Sequence, residues 1–265
     1  MIEYLSQTML KQWARCPEQF RRRWIEGETI PPGIAARVGT GLHKGAEVNH
    51  RAKIVTGKDE PLSVIQDAAR DGYVKAIQHG VFLTQEEVPS AKKLLSEGVD
   101  STVRLAKLYR ESLAPKVRPI LIEKTVYLVE PSLPVPFRGV IDVVSEGGWL
   151  LDIKSADKKW TESRAENDIQ ATLYGELVRS ETGKHPNRIS FEIFTKLKGE
   201  HQSLETTRTP EDYRQLISRA RLMLASIEAG IFPPATPGMF LCSRNWCGYW
   251  HSCPYISPRL KSKKG

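Results

Sequence analysis

The 265-residue chain is 40% hydrophobic and holds six Trp, enough to bury one sizeable core. Thirty-nine Lys and Arg against thirty-one Asp and Glu leave a formal charge of +8. That balance favours a polyanion such as nucleic acid over an acidic partner, although a solvated basic surface accounts for it equally well. No run of about eighteen uncharged apolar residues occurs, and Met1-Ile2-Glu3-Tyr4-Leu5 is not a basic region leading into an apolar stretch; the expectation is a soluble, cytoplasmic protein with no membrane partner.

From Ser6 to Gly27, Met9, Leu10, Trp13, Phe20 and Trp24 recur at helical spacing, and Pro17 predicts a break between two short helices. Pro31-Pro32-Gly33 is a loop, after which a helix is expected from near Val38, carrying His43, Glu47 and His50. Ser63 to Gly80 and Gln85 to Leu113 read as helices, together a helical subdomain over 60–115. After Pro119 the texture turns β-branched and aromatic: Ile120 to Val129, Phe137 to Ser145 and Trp149 to Ser155 predict an antiparallel meander. Thr161 to Glu181 reads as one helix, Arg188 to Lys196 and Ser203 to Arg208 as strands, and Pro210 to Ala229 as a helix. The fold class is therefore α/β (α+β), a mixed sheet flanked by helices, in one domain over 1–255 with its sheet core at 118–208. A basic flexible tail is expected over 256–265, including Lys261 to Lys264.

Asp142 lies in Gly139-Val140-Ile141-Asp142-Val143-Val144, and Asp152 and Lys154 lie in Leu150-Leu151-Asp152-Ile153-Lys154-Ser155, runs that otherwise read as buried strand. An ionised group there is costly unless it is paired or binds a metal, and two carboxylates on neighbouring strands can share one hard cation such as Mg2+ or Mn2+. Strand alternation puts Asp152 and Lys154 on one face. A metal ion can polarise a phosphodiester and acidify a bound water, and Lys154 can orient that water or stabilise the charge that develops. An internal salt bridge is the bland alternative. Glu123, in Leu121-Ile122-Glu123-Lys124, sits on the first core strand and could approach the same ion. Gln170 and Tyr174, four apart, share one face of a helix and could reach the site or a DNA phosphate.

Four separated segments occur in the order seen in RecB-like PD-(D/E)XK nucleases: Gly39-Thr40-Gly41-Leu42-His43, Gly139 to Asp142, Asp152-Ile153-Lys154, and Gln170-Ala171-Thr172-Leu173-Tyr174. The chain resembles that family over most of its length. The resemblance implies a restriction-endonuclease-like core and a Mg2+- or Mn2+-dependent deoxyribonuclease, exonucleolytic on DNA ends or single strands. It makes Asp142 and Asp152 metal ligands, beside which the Ile153 carbonyl is placed to complete the coordination, His43 a further ligand or active-site residue, Lys154 the catalytic lysine, and Gln170 and Tyr174 residues that reach the active-site edge or a DNA phosphate. A non-catalytic DNA-binding or assembly subunit is the alternative, and intact Asp142, Asp152 and Lys154 argue against it. No helicase motor motif, nucleophile elbow or dinucleotide fingerprint appears, so unwinding would need a partner.

Cys242, Cys247 and Cys253 crowd the C-terminal region, and Cys16 stands alone near the start. In a reducing compartment four thiolates suit zinc or an iron-sulfur cluster, and buried reduced cysteines are the plain alternative. A subset of the same family, including helicase-nuclease subunits and CRISPR-adaptation nucleases, is similar in placing one N-terminal and three C-terminal cysteines around a 4Fe-4S cluster. This implies a clamp joining 1–30 to 233–255, and helicase, recombination or CRISPR-adaptation partner proteins; oligomeric state stays open. Four residues separate Cys242 from Cys247, where the family commonly has two, whereas the five between Cys247 and Cys253 follow its pattern.

Overall fold

In the computed structural model, which describes residues 2–236 and 238–261, the first helix starts at a capped serine. The Ser6 hydroxyl accepts from the Met9 N–H at 3.3 Å and opens α1 (Gln7–Arg15). Cys16, in extended conformation, ends α1 and caps α2 (Pro17–Phe20), with Pro17 in the first turn, where a missing N–H costs little. The break falls where Pro17 predicts it, and a π-helical turn over Arg21–Ile25 follows.

α3 (Ile34–Thr56) starts directly after Gly33, earlier than the expected Val38, and ends at Gly57, whose φ of +71° suits a left-handed helix stop. α4 (Leu62–Gln78) lies against it. A Cβ added at Gly41 would sit 2.7 Å from the Ala69 carbonyl oxygen, so only glycine allows this approach. α5 (Ala91–Ser112) begins later than the expected Gln85, because Val88–Ser90 forms a 3-10 turn around Pro89.

The sheet runs β1 (Pro119–Leu128), β2 (Phe137–Ser145), β3 (Trp149–Ala156), β4 (Arg188–Thr195) and β5 (His201–Thr206), in that spatial order. β1, β2 and β3 form the expected antiparallel meander; β4 is parallel to β3, and β5 returns antiparallel to β4. The crossover between β3 and β4 carries two helices, α6 (Glu162–Glu166) and α7 (Ile169–Thr182), where one was expected. Asp168 breaks the run: its backbone is extended and its carboxylate caps α7 by accepting from the Gln170 N–H at 2.9 Å. Arg208 stabilises the break by donating to the carbonyls of Ala165 and Asp168, each at 3.0 Å. α8 (Pro210–Glu228) follows, opened by a Thr209/Asp212 capping box, and a short α9 (Pro258–Lys261) lies within the expected basic tail. Residues 262–265 of that tail, Lys264 among them, lie outside the described residues.

Each sheet face buries its own apolar layer. Leu10, Leu173, Leu177, Leu216 and Met223 of α1, α7 and α8 pack with Phe137, Ile141 and Leu150. Leu42, Ile65, Leu105 and Tyr109 of α3, α4 and α5 pack with Val143, Leu151, Ile153 and Phe194. The helices within 60–115 therefore share a core with the sheet. Each such side chain contributes ~1.5–3 kcal/mol on burial, so α1, α3 and α7 are held firmly where their polar residues meet the sheet.

Candidate active site

Two strand ladders lapse at one residue, Asp142. On the β1 side the register runs Ile122↔Val143 and Lys124↔Ile141, which sets Glu123 opposite Asp142, yet those two form no ladder pair. On the β3 side pairing stops at Val143↔Leu151, so the next step would set Asp142 opposite Asp152. The Ile153 N–H turns instead to the Asp142 carboxylate, donating to Oδ2 at 3.2 Å. Glu123 has φ +44°, a left-handed conformation that a glutamate adopts only at a cost. Three carboxylates from three adjacent strands are thus brought to one level of the sheet.

From the helical side α3 supplies His43, whose Nδ1 lies 3.5 Å from Asp142 Oδ2. Donor atoms of His43, Glu123 and Asp142 all fall within 4.8 Å of one another, close enough to hold one ion. Gly39 makes this approach feasible, since a Cβ there would come within 3.0 Å of Ser155 Oγ at the end of β3. Asp152 stands outside that trio. Its Oδ1 accepts from Gln170 Nε2 at 2.5 Å, and its Oδ2 lies 2.5 Å from Lys154 Nζ in an ion pair that is not an aligned hydrogen bond. The sequence reading has Asp142 and Asp152 share a cation; in the structure Glu123 and His43 join Asp142, and Asp152 lies beside them engaged with Lys154 and Gln170.

The electrostatics follow from crowding. Burial pushes the Glu123 carboxyl up to about 7, and the neighbouring Asp142 adds to the rise while His43 opposes it. Burial likewise raises Asp152, to about 6, with Lys154 opposing and Asp142 adding. For Lys154 burial works against the ammonium, but Asp152 and Asp142 outweigh it, and the pKa stands above the ordinary lysine value. The site is short of positive charge.

Of the pair on α7, Gln170 reaches the site, whereas Tyr174 packs into the core at 8% exposure with its hydroxyl at the Val140 backbone. Its ring and Leu177 press on β2 at Gly139, where a Cβ would come within 2.5 Å of Leu177 Cδ1 and 3.0 Å of Tyr174 Cε1. Tyr174 thus seats α7 on β2, with its hydroxyl close enough to Asp152, Asp142 and Glu123 to feel their charge. The cleft itself, about 720 Å3, is lined by Thr8, Thr40, His43, Glu123, Ile153 and Lys154 among others. Sequence reasoning missed Asp168 and Lys11. Asp168 Oδ1 accepts from the Gln170 N–H and pairs with Lys11 Nζ at 2.6 Å, extending the polar chain from the site to α1. Asn-Asp ahead of an apolar helical run is an N-cap signal that could have found Asp168; nothing local marks Lys11.

The four cysteines are free thiols that line one cavity of about 170 Å3 between the start and end of the chain. The Gln19 N–H donates to Cys16 Sγ at 3.4 Å, and Gln19 Nε2 lies 3.7 Å from Cys247 Sγ. Among the described residues no three thiol sulfurs lie within 4.8 Å of one another. Tyr249 locks the C-terminal loop down by donating to the Glu28 carbonyl beneath the Arg22 guanidinium.

A mixed sheet that brings clustered carboxylates, a histidine and a charged lysine to one cleft is the architecture of a metal-dependent nuclease. The family model of the PD-(D/E)XK nuclease superfamily matches residues 4–254, and the chain belongs to that superfamily. Among solved structures it is similar to an exonuclease candidate from Eubacterium rectale, with 15% identity, 91% of this chain and 87% of that chain covered, and a TM-score of 0.56. It is also similar to SSO0001, with 9% identity, 84% and 77% covered, and a TM-score of 0.36. The first likeness speaks for the fold alone and the second carries no argument. None of the curated proteins matches. No helix among the described residues is long and apolar enough to cross a membrane.

Proposed function

We propose that the chain is a Mg2+- or Mn2+-dependent deoxyribonuclease acting on DNA ends or single strands. The observation that carries this reading is the meeting of Glu123, Asp142 and His43 within 4.8 Å beside the Asp152–Lys154 pair. Burying several carboxylates together is unfavourable without a counter-charge, and the donor set, oxygens with one imidazole, suits a hard divalent ion. His43, Glu123 and Asp142 would hold that ion, with Asp152 and the Ile153 carbonyl as further ligands. When bound, the ion supplies Lewis acidity toward a phosphate and lowers the pKa of a water. Lys154, kept protonated by Asp152 and Asp142, stabilises charge on the phosphoryl oxygens rather than removing a proton. Gln170 holds Asp152 in orientation through its 2.5 Å hydrogen bond, and Tyr174 supports the strand that carries Asp142.

The four cysteines are best read as ligands of a 4Fe-4S cluster. Four thiols from the two ends of the chain line one cavity, as tetrahedral thiolate ligation requires, and the one-plus-three arrangement shared with cluster-binding members of the family favours the iron-sulfur group over zinc. The cluster would supply cross-links between the two ends of the chain, and Cys16, which ends α1, would fix that helix beside the site.

The test is cleavage of end-labelled single- and double-stranded DNA by anaerobically purified protein with Mg2+, Mn2+ or EDTA, alongside Lys154→Ala. Metal-dependent cleavage that disappears in a folded Lys154→Ala supports the reading. Salt-sensitive DNA binding without cleavage would replace it with the binding-subunit alternative. A brown protein with iron and sulfide supports the cluster, whereas a colourless zinc protein refutes it and leaves the nuclease reading intact.

A further inference from the structure

A second cleft, about 680 Å3, opens on the other side of Lys11, bounded by α1, the turn between α6 and α7, and α8. Its walls are of two kinds. Leu10, Trp13 and Leu216 give an apolar floor, while Lys11, Arg164 and Arg219 supply cations. Only Asp168 among the lining residues is acidic, so three positive groups stand against one negative. Leu222, also lining it, is 70% exposed. Arg219 is exposed and forms no ion pair with the acidic side chains of the described residues, and Arg164 stacks over Trp160 at 3.9 Å.

The cleft and the candidate active site share no lining residue but are linked through α1 and through a chain of polar contacts. Thr8 lines the active-site cleft and Lys11 the second one, and the two lie one turn apart on the same face of α1. Lys11 pairs with Asp168, whose carboxylate caps the helix bearing Gln170, and Gln170 in turn holds Asp152 next to Lys154. Burial lowers the Lys11 pKa against the pull of Asp168, and Lys154 and Asp152 lie near enough to act on it. A structural ion pair needs only one cation here, yet the cleft offers three above an apolar floor. That pairing of surfaces matches an unpaired polynucleotide, whose bases seek apolar or aromatic contacts while its phosphates seek cations.

We propose that this cleft is the track for the unpaired strand of the DNA substrate, with Lys11 gripping the phosphate next to the scissile one and Arg164 and Arg219 gripping phosphates further along. The proposal rests on the nuclease reading and extends it from chemistry to substrate form. Duplex DNA would be taken only through a frayed or single-stranded end, because bases that remain paired cannot reach the accessible faces of Trp13 and Leu222.

The test is equilibrium binding of the full chain to labelled oligo-dT and to a blunt duplex of equal length, in EDTA, over a series of salt concentrations. Arg219→Glu lies on the exposed surface and guards against misfolding; Lys11→Ala removes the inner cation. Each is expected to weaken oligo-dT binding by about fivefold or more and to lower the salt slope by about 0.7 for every phosphate no longer neutralised, with a smaller effect on the duplex. Under cleaving conditions Arg219→Glu should raise KM more than it lowers kcat. Wild-type affinity and slope in both variants would overturn the proposal, as would equal losses on oligo-dT and duplex. Because binding is read without metal, the two readings separate: cleavage with indifferent variants removes the track alone, and cleft-dependent binding without cleavage removes the nuclease reading alone.

Discussion

Substituting Glu123 by Gln tests whether the three-strand carboxylate cluster is built for a cation. The Glu123 carboxyl rises from an ordinary 4.5 to about 7 through burial and the neighbouring Asp142. At ~1.4 kcal/mol per pH unit that corresponds to ~3 kcal/mol. Glu123 is partly open to the cleft, and solvent screening reduces the figure to ~1–2 kcal/mol. Because the folded chain holds this proton more tightly than the unfolded one, the contribution is complete below pH 4.5 and is lost as pH rises through about 7. Metal-free wild type therefore carries a charge cost at about pH 8 that Glu123→Gln lacks. Denaturant unfolding in EDTA should show the variant more stable by ~1–2 kcal/mol at about pH 8 and nearly equal to wild type at about pH 4 to 5. Adding Mn2+ should reverse the order, since an ion that binds only the folded state stabilises wild type by more than the variant with one ligand fewer. A variant equal to or weaker than wild type in EDTA at about pH 8, with an undiminished response to Mn2+, would refute the idea that Glu123 is a metal ligand held under repulsion.

Lys154→Ala should leave Mn2+-induced stabilisation in place while cutting turnover by ~100- to 1,000-fold, measured on end-labelled DNA, because it removes a charge that acts on the transition state. Gly139→Ala should destabilise by ~1–3 kcal/mol, read as a fall in Tm, since the new methyl meets Leu177 at 2.5 Å inside a packed core. If the four cysteines hold the proposed cluster, Cys16→Ser should abolish its visible absorbance and loosen α1 against the C-terminal loop, seen as faster amide exchange around Gln7–Arg15.

Strand content and the antiparallel meander of the first three strands were legible because they depend on local pattern, and the candidate site residues stand out for the same reason. Charges interrupt the β-branched runs at Asp142, Asp152 and Lys154, and a buried charge advertises a reason for being there. Its division of labour was not legible, because it turns on backbone irregularities that no residue type announces. Glu123 could be named as a secondary candidate from its place on the first core strand, but its φ of +44° and the lapse in pairing opposite Asp142, which bring it beside Asp142 and His43, carry no sequence signal. Asp152 was visible as an acid, but that Gln170 and Lys154 occupy it depends on how α7 is seated, which Gly139 decides through its contact with Leu177 and Tyr174. Gln170 and Tyr174 share one buried stripe of α7 as their spacing requires, but which partner each takes, Asp152 for Gln170 and the Val140 backbone for Tyr174, depends on tertiary packing. What joins these elements is α1, which runs from the cysteine cavity at Cys16, past Lys11, to Thr8 in the candidate active-site cleft. On the proposed reading, a cysteine centre that closes the two ends of the chain beside the reactive groups would tie the geometry of cleavage to its own integrity, so its loss should disturb strand binding through Lys11 before it touches the carboxylates on the sheet.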